Sequence, residues 1–333
     1  MNFGIIGLGY IAEKFAKTLN QMGEVLYAVA SRNIDKAKDF SLKFNSTKYY
    51  GSYDDLYSDS NIDVIYIATP NSYHYQNAKD ILNHNKNVIC EKPFTINPKE
   101  AKELYQLAKK KNLFIMEALW PEFFPSTKKL IEIINNKVIG DIRTIKVTYG
   151  SYKDFNSKKR LCDSRLGGGA LLDIGIYPLS FLDMILDSKP LSFTSEYKLN
   201  EYNTDEYSKI NFLYKNGIKA EVLISFEEEL PREAYIIGTN GSIYIPNHHQ
   251  NEGFIVKIDK EEKYSFPFEI NGFEYEIKEA IECIKNKRYE SVSYPANRSI
   301  RLMELLYDIR MSWNMKYSFE WKHFIFNYHI ILC

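Results

Sequence analysis

The sequence predicts an α/β protein: a doubly wound parallel sheet at the N-terminus, then an α/β domain on a large, open, mostly antiparallel sheet. Three observations carry this. Over the first third, short apolar runs alternate with segments of helical spacing, the pattern of right-handed βαβ crossovers. A small-residue turn, Gly7-Leu8-Gly9-Tyr10-Ile11-Ala12, follows the first apolar run and opens a helical segment. From about residue 140 apolar and polar positions alternate instead, as in half-buried antiparallel strands.

Taken in order, Phe3–Ile6, Val25–Ala30, Val64–Ala68, Val88–Cys90 and Leu113–Met116 read as strands. Ile11, Phe15 and Leu19, and later Leu104, Leu107 and Ala108, fall on helical faces. The helix after Ile96 carries its own start signal: Asn97 as N-cap, Pro98 at the first position and Glu100 completing a capping box. Two prolines between Ala118 and Pro125 mark a boundary, giving domains 1–120 and 121–320 and an apolar tail, 321–333. In the second domain Asn216-Gly217 and Asn240-Gly241 each separate two apolar runs, the signal of a β-hairpin, with a type I′ turn expected at the first.

Composition excludes several functions. Lys plus Arg and Asp plus Glu are both 43, so no basic footprint for nucleic acid or an anionic membrane exists. Cys90, Cys162, Cys283 and Cys333 are scattered, which argues against a disulfide framework or a zinc site. No basic, apolar leader opens the chain, and no apolar stretch is expected to reach the ~18 residues of a membrane span. A cytoplasmic protein without a membrane partner is the expectation.

The Gly7–Ala12 turn fits the dinucleotide fingerprint G-x-G-x-x-G/A. Gly7 permits the tight turn, Gly9 lets backbone approach a pyrophosphate, and Ala12 keeps helix and strand close. Tyr10 and Ile11 open the helix whose N–H groups would receive the phosphates. The competing reading is a purely structural βα turn. Nineteen positions past Ala12, where an acid commonly holds the ribose 2′-hydroxyl of NAD, stand Ser31 and Arg32. A hydroxyl and a guanidinium there favour NADP, with NAD still possible.

Ala68-Thr69-Pro70-Asn71 with His74, and Cys90-Glu91-Lys92-Pro93, follow the next apolar strands. Ligands of open α/β sheets bind at those carboxyl ends. Lys92 reads equally as a hydrogen-bonding group at a reacting oxygen or as a loop lysine. His74 reads as a positioning or core residue ahead of an acid–base catalyst. Gly167-Gly168-Gly169 implies close backbone approach, and Asp173 and Tyr177 then share a helical face. Together these two could grip a substrate hydroxyl and relay its proton; alternatively they are a helix-start acid and a core phenol.

These motifs in this order resemble the Gfo/Idh/MocA family of NAD(P)-dependent oxidoreductases. The residues that carry the likeness are Gly7–Ala12, Ala68-Thr69-Pro70-Asn71 with His74, Glu91-Lys92-Pro93, Met116-Glu117-Ala118-Leu119-Trp120, and Gly168-Gly169-Ala170-Leu171-Leu172-Asp173-Ile174-Gly175-Ile176-Tyr177. The branch resembled most holds the dihydrodiol dehydrogenases and NADP-dependent D-xylose dehydrogenases, where Tyr occupies the place that many relatives fill with His. The resemblance implies a Rossmann domain, an acid–base pair of Lys92 and Tyr177, and Asp173 orienting substrate. It also implies Thr69, Pro70, Asn71, His74, Glu91 and Lys92 beside the nicotinamide, and a homodimer through the open sheet. One departure stands out: where the branch usually has W-x-R-F, this chain has Trp120-Pro121-Glu122-Phe123, a charge reversal with consequences for the pocket or for a local ion pair.

The function expected is hydride transfer between NADP(H) and a hydroxyl or carbonyl carbon of a sugar, polyol or cyclic diol. The alternatives are a non-catalytic dinucleotide or sugar sensor on the same fold, and an enzyme that uses the nicotinamide only transiently.

Overall fold

Strand and helix alternate through the first part of the chain: β1 (Asn2–Ile6), α1 (Tyr10–Met22), β2 (Val25–Ala30), α2 (Ile34–Phe44), β3 (Lys48–Tyr50), α3 (Tyr53–Ser58), β4 (Val64–Ile67), α4 (His74–Asn83), β5 (Asn87–Glu91), α5 (Pro98–Lys111) and β6 (Ile115–Ala118). The computed structural model describes residues 1–154, 159–317 and 320. The six strands lie in the order β3-β2-β1-β4-β5-β6, and every neighbouring pair is parallel. The strand order reverses between β1 and β4, where sheets of this kind open a crevice. Ile6, Ile65, Ile67, Val88 and Cys90 of the strands pack with Ala78, Ile81, Leu104 and Ala108 of α4 and α5 in one core cluster.

Local chemistry explains the element ends. The buried face of α1 is Ala12, Phe15, Ala16, Thr18 and Leu19, and the helix stops at Gly23 with φ 75°. Asn97 accepts the Glu100 amide at 3.1 Å, as the capping signal predicts, while the Glu100 carboxylate reaches back to the Ile96 amide at 3.4 Å. Strand β6 starts two residues later than expected. Asn112 caps α5 at φ 55°, and the Leu113 N–H is spent closing that cap on the Ala108 carbonyl at 2.9 Å. The edge strand β3 is three residues long and has no apolar alternation to announce it.

The second part runs α6 (Pro125–Asn135), β7 (Ile142–Gly150), α7 (Lys159–Cys162), a π-helical turn (Leu171–Gly175), α8 (Ile176–Leu186), β8 (Ser192–Leu199), β9 (Asp205–Leu213), β10 (Lys219–Ser225), β11 (Ala234–Gly238), β12 (Ser242–Ile245), β13 (Gly253–Lys257) and β14 (Glu261–Ser265), then α9 (Phe273–Lys285) and α10 (Ala296–Ser312). Eight strands form the second sheet in the order β14-β13-β12-β11-β7-β10-β9-β8. It is antiparallel except where β10 runs parallel to β7.

Both hairpins form, with different turns from those expected. Asn216 and Gly217 do take φ of 62° and 75°, yet the Tyr214 N–H closes on the Ile218 carbonyl, so Lys215 makes the loop three residues long rather than a type I′ pair. The other loop is Thr239-Asn240, closed by the Gly238 N–H on the Gly241 carbonyl at 2.9 Å. Gly241 sits beyond it, where a Cβ would meet the Lys257 carbonyl at 2.4 Å.

By its contacts the chain divides into two compact units: Met1–Lys129 with Phe266–Met303, and Leu130–Ser265 with the residues from Glu304 onward. The sequence suggested a single crossing near Ala118–Pro125; the contacts instead return α9 and the start of α10 to the first unit. The apolar tail 321–333 lies outside the described residues. The expectation that no apolar stretch has membrane-spanning length needs correcting. The helical run Ser164–Leu186 passes by length and composition, and 89% of its apolar window is buried inside the protein, so that surface is already covered.

Candidate functional site

In the first unit, Gly7 has φ 81°, and a Cβ there would meet the Ala68 carbonyl carbon at 2.3 Å and the Thr69 nitrogen at 2.4 Å. Only glycine lets the β1 exit pass the β4 exit so closely. A Cβ on Gly9 would meet only the Gly7 carbonyl, at 3.9 Å, so the space before α1 is open to a ligand. No side chain caps α1, which leaves its first N–H groups turned toward that space. Ala12 is fully buried, as the close helix–strand packing requires, while Tyr10 and Ile11 are exposed. These residues fit a dinucleotide pyrophosphate.

Arg32 is exposed at the end of β2, and among the described residues no carboxylate lies at ion-pair distance from it. Burial pushes the Tyr53 phenol up, while the Arg32 charge and the Gly7 backbone pull it down. The Ser31 hydroxyl accepts the Asn33 amide at 3.2 Å.

His74 is fully buried at the start of α4. One ring nitrogen faces the Pro93 carbonyl and the other the Thr69 carbonyl, both at 2.8 Å. The ring therefore ties the loop after β4 to the loop after β5. Asn77 adds a hydrogen bond to the Thr69 hydroxyl at 3.0 Å, with Pro70 and Asn71 next in the chain. Glu91 accepts the Tyr66 hydroxyl and, at 3.2 Å, the Lys92 amide. Lys92 follows β5 and the glycine turn follows β1 with β4 between, so both emerge at one sheet edge, roughly 10 Å apart.

Sequence reasoning missed the carboxyl groups beneath this edge. Glu117 of β6 accepts the Phe94 amide at 2.9 Å and the Ser299 hydroxyl at 2.6 Å, and burial raises its pKa to about 7. Glu276 of α9 is fully buried with no hydrogen-bond partner for either oxygen. Burial, then the negative charges of Glu91 and Glu274, push its pKa well up. In sequence both look like ordinary helix or strand charges.

In the second unit the glycine run is a packing device. A Cβ on Gly168 would strike the Leu161 carbonyl oxygen at 2.5 Å, and one on Gly169, at φ 121°, would strike Asp205 at 2.3 Å. The Asp205 carboxylate accepts the Leu171 amide at 2.7 Å, and the Tyr317 hydroxyl donates to the Gly168 carbonyl at 2.6 Å. These contacts anchor the π-helical turn holding Asp173, from which α8 carries Tyr177. Such π turns recur at functional sites.

Tyr177 meets Tyr149 at the end of β7. Its ring lies 5.9 Å from that of Tyr177, and the Asp173 charge acts on its phenol. Burial lifts the Tyr149 phenol to about 12, Arg232 opposing and Asp173 and Glu229 reinforcing the shift. His249 sets its ring edge-on to Tyr177 at 4.3 Å and 5.3 Å from Tyr149, and the Arg232 guanidinium lies 4.9 Å over the Tyr149 ring. Tyr149, Arg232 and His249 were not foreseen; the His248-His249 pair was the one visible signal. Among the described residues no group of three or more His, Cys, Asp or Glu side chains could hold a metal.

Residues 1–119 match the pattern described as an oxidoreductase family with an NAD-binding Rossmann fold, and residues 127–244 match the GFO/IDH/MocA C-terminal domain. Over 324 residues the chain is 32% identical to trans-1,2-dihydrobenzene-1,2-diol dehydrogenase of Mus musculus, covering 93% of this chain and 96% of the relative. The chain belongs to the Gfo/Idh/MocA family. As a member it is an oxidoreductase whose N-terminal unit is the nicotinamide-dinucleotide-binding Rossmann domain. The dihydrodiol dehydrogenase of Xenopus laevis is 34% identical over 301 residues, covering 87% of this chain and 91% of that one.

Two solved structures share the fold of this Gfo/Idh/MocA protein. One is a 3-ketoreductase from Actinomadura kijaniata in complex with NADP and TDP-benzene, with a TM-score of 0.85, 21% identity, and 93% of this chain and 97% of that one covered. The other is an aldose-aldose oxidoreductase from Caulobacter crescentus complexed with glycerol, with a TM-score of 0.84, 20% identity, and 93% and 96% covered.

Proposed function

We propose that this oxidoreductase transfers hydride between NADP(H) and the carbinol or carbonyl carbon of a sugar, polyol or cyclic diol, with Lys92 and Tyr177 as the acid–base pair. The carrying observation is Lys92 at the carboxyl edge of the parallel sheet, on the edge where the Gly7–Ala12 turn opens. The bound dinucleotide supplies the hydride acceptor or donor. In oxidation Tyr177 acts as the phenolate, which the Lys92 ammonium stabilises, and its oxygen takes the substrate hydroxyl proton to become the phenol. In reduction the same proton returns to the carbonyl oxygen. Asp173 accepts a neighbouring substrate hydroxyl and fixes which carbon presents its hydrogen. Ser31 and Arg32, with no acid in the ribose position, support NADP over NAD. The dihydrodiol dehydrogenase relatives and the aldose oxidoreductase neighbour support this substrate class.

The second sheet supports pairing of two copies. On β11, Tyr235 and Ile237 point away from the core and are 40% and 43% exposed, and Tyr244 of β12 stacks on Tyr235 at 4.6 Å.

The test is reduced-nicotinamide absorbance with a panel of pentoses, hexoses and dihydrodiols. Lys92→Met and Tyr177→Phe are expected to lose at least a hundredfold in kcat with NADP affinity kept within threefold. Variants with near-normal kcat would remove these residues from the chemistry, and NADP binding without turnover across the panel would favour a sensor.

A further inference from the structure

We propose that Arg232 forms an anion-binding subsite beside Tyr177, so that the preferred substrate is a sugar derivative bearing a carboxylate or a phosphate. This rests on the reading of Tyr177 as the proton carrier.

The observation is a guanidinium answered by an aromatic face alone. Arg232 stands just before β11, half-buried, and its guanidinium lies over the Tyr149 ring. Among the described residues no acceptor lies within hydrogen-bond distance of its side chain, and no carboxylate within ion-pair distance. The acids nearby are otherwise engaged or placed. Glu229 accepts the Tyr152 amide at 2.9 Å and the Ser151 hydroxyl at 3.4 Å, Glu233 accepts the Tyr244 hydroxyl at 3.1 Å, and Asp173 lies on the π-helical turn. A planar fork of five donors removed in part from water loses solvation that only an acceptor restores, and carboxylate or phosphate matches it bidentately.

The neighbours make the charge more conspicuous. His248 is buried, its Nε2 3.1 Å from the Thr148 carbonyl, and burial lowers its pKa to about 4, the Arg232 charge adding to that. It is therefore a neutral ring and takes no share in balancing charge. The guanidinium and the Tyr177 ring are both neighbours of the Tyr149 ring, at 4.9 and 5.9 Å. A substrate whose hydroxyl meets Tyr177 would turn its anionic substituent toward Arg232.

The experiment compares matched substrates: glucose, glucuronate and glucose 6-phosphate, each with NADP, for the parent protein, Arg232→Met and Arg232→Lys. The parent is expected to favour at least one anionic sugar over glucose by at least tenfold in kcat/KM, and which anion wins separates carboxylate from phosphate as the source. Arg232→Met should erase that preference chiefly through KM. Arg232→Lys should keep part of it, because it retains the charge without the fork. Calorimetric titration of the same sugars into NADP-loaded Tyr177→Phe reads binding without turnover. Arg232-dependent binding of an anionic sugar there would uphold the subsite even if no turnover were found. Turnover of neutral sugars with no anion preference, unchanged in Arg232→Met, would overturn the subsite and leave the proposed chemistry standing.

Discussion

Arg298 grips Glu122 with both terminal nitrogens, Nη2 to Oε1 and Nη1 to Oε2 each at 2.9 Å, and the two side chains are 13% and 2% exposed. The Glu that replaces Arg in the Trp120–Phe123 segment is thus answered within its own unit by an arginine 176 positions later. The reversed charge is thus matched by an ion pair. A buried pair is costly to break from one side, because the survivor keeps its charge and loses its partner. Glu122→Ala should therefore cost about 3 kcal/mol, measured by denaturant unfolding. Arg298→Met should cost about as much, and the Glu122→Met/Arg298→Met double variant should recover most of the loss. Additive losses in the double variant would show that the pair does not act as a unit.

Arg32 provides the cofactor prediction. Its guanidinium is exposed and unpaired among the described residues. A 2′-phosphate there would gain charge-assisted hydrogen bonds that a 2′-hydroxyl cannot make. Arg32→Ala is expected to weaken NADP binding at least tenfold and NAD binding less than threefold, by titration of each dinucleotide. Equal losses would reject this arginine as the discriminating group.

What was legible in the sequence was local. The Gly7–Ala12 turn, the Asn97-Pro98-Glu100 cap and the alternation along β10 are written within a few residues, and each forms. What was hidden depends on distant packing. Glu117, Glu276 and Asp205 become buried carboxyls only once remote elements cover them, and nothing in their neighbours foretells this. The face of α9 with Phe273, Ile277 and Ala280 announces a buried helix but not which sheet it covers. Tyr149, Tyr177 and His249 meet from three separate elements, so only their coordinates reveal the aromatic cluster.

The exposed face of β11 carries the assembly prediction. Alternation along Ala234–Gly238 buries Ala234 and Ile236 and leaves Tyr235 and Ile237 to solvent. If this face joins two copies, a lysine at its centre must be desolvated at the contact, which costs several kcal/mol. Ile237→Lys should convert a dimer to monomer in sedimentation velocity with little change in unfolding midpoint, since the side chain does not belong to the core. A dimer that survives the change, or a parent that is already monomeric, would count against this face.

Asp205 makes stability depend on pH in a calculable direction. The carboxyl is fully buried, one oxygen holds the Leu171 amide, and the other has no hydrogen-bond partner. Burial raises its pKa to about 7 against the pull of that amide and of Arg310. Because the folded value lies above the unfolded one, the folded protein holds this proton more tightly between about pH 4 and 7. The group's stabilising contribution is complete below about pH 4 and is lost as pH rises through 7. Asn keeps a carbonyl for the Leu171 amide and cannot ionise. The stability of Asp205→Asn relative to the parent should therefore climb between pH 5 and 8, by up to ~4 kcal/mol for a shift of three units. Taking the difference removes Glu117, whose raised pKa tilts both proteins alike. Denaturant melts at each pH check it, and a difference that stays flat would mean that Asp205 ionises as freely in the folded protein as in the unfolded chain. Since Leu171 begins the π-helical turn that holds Asp173 and leads to Tyr177, the same titration should loosen the end of α8 that carries the proposed proton carrier. The parent's kcat would then fall above pH 7 relative to that of Asp205→Asn.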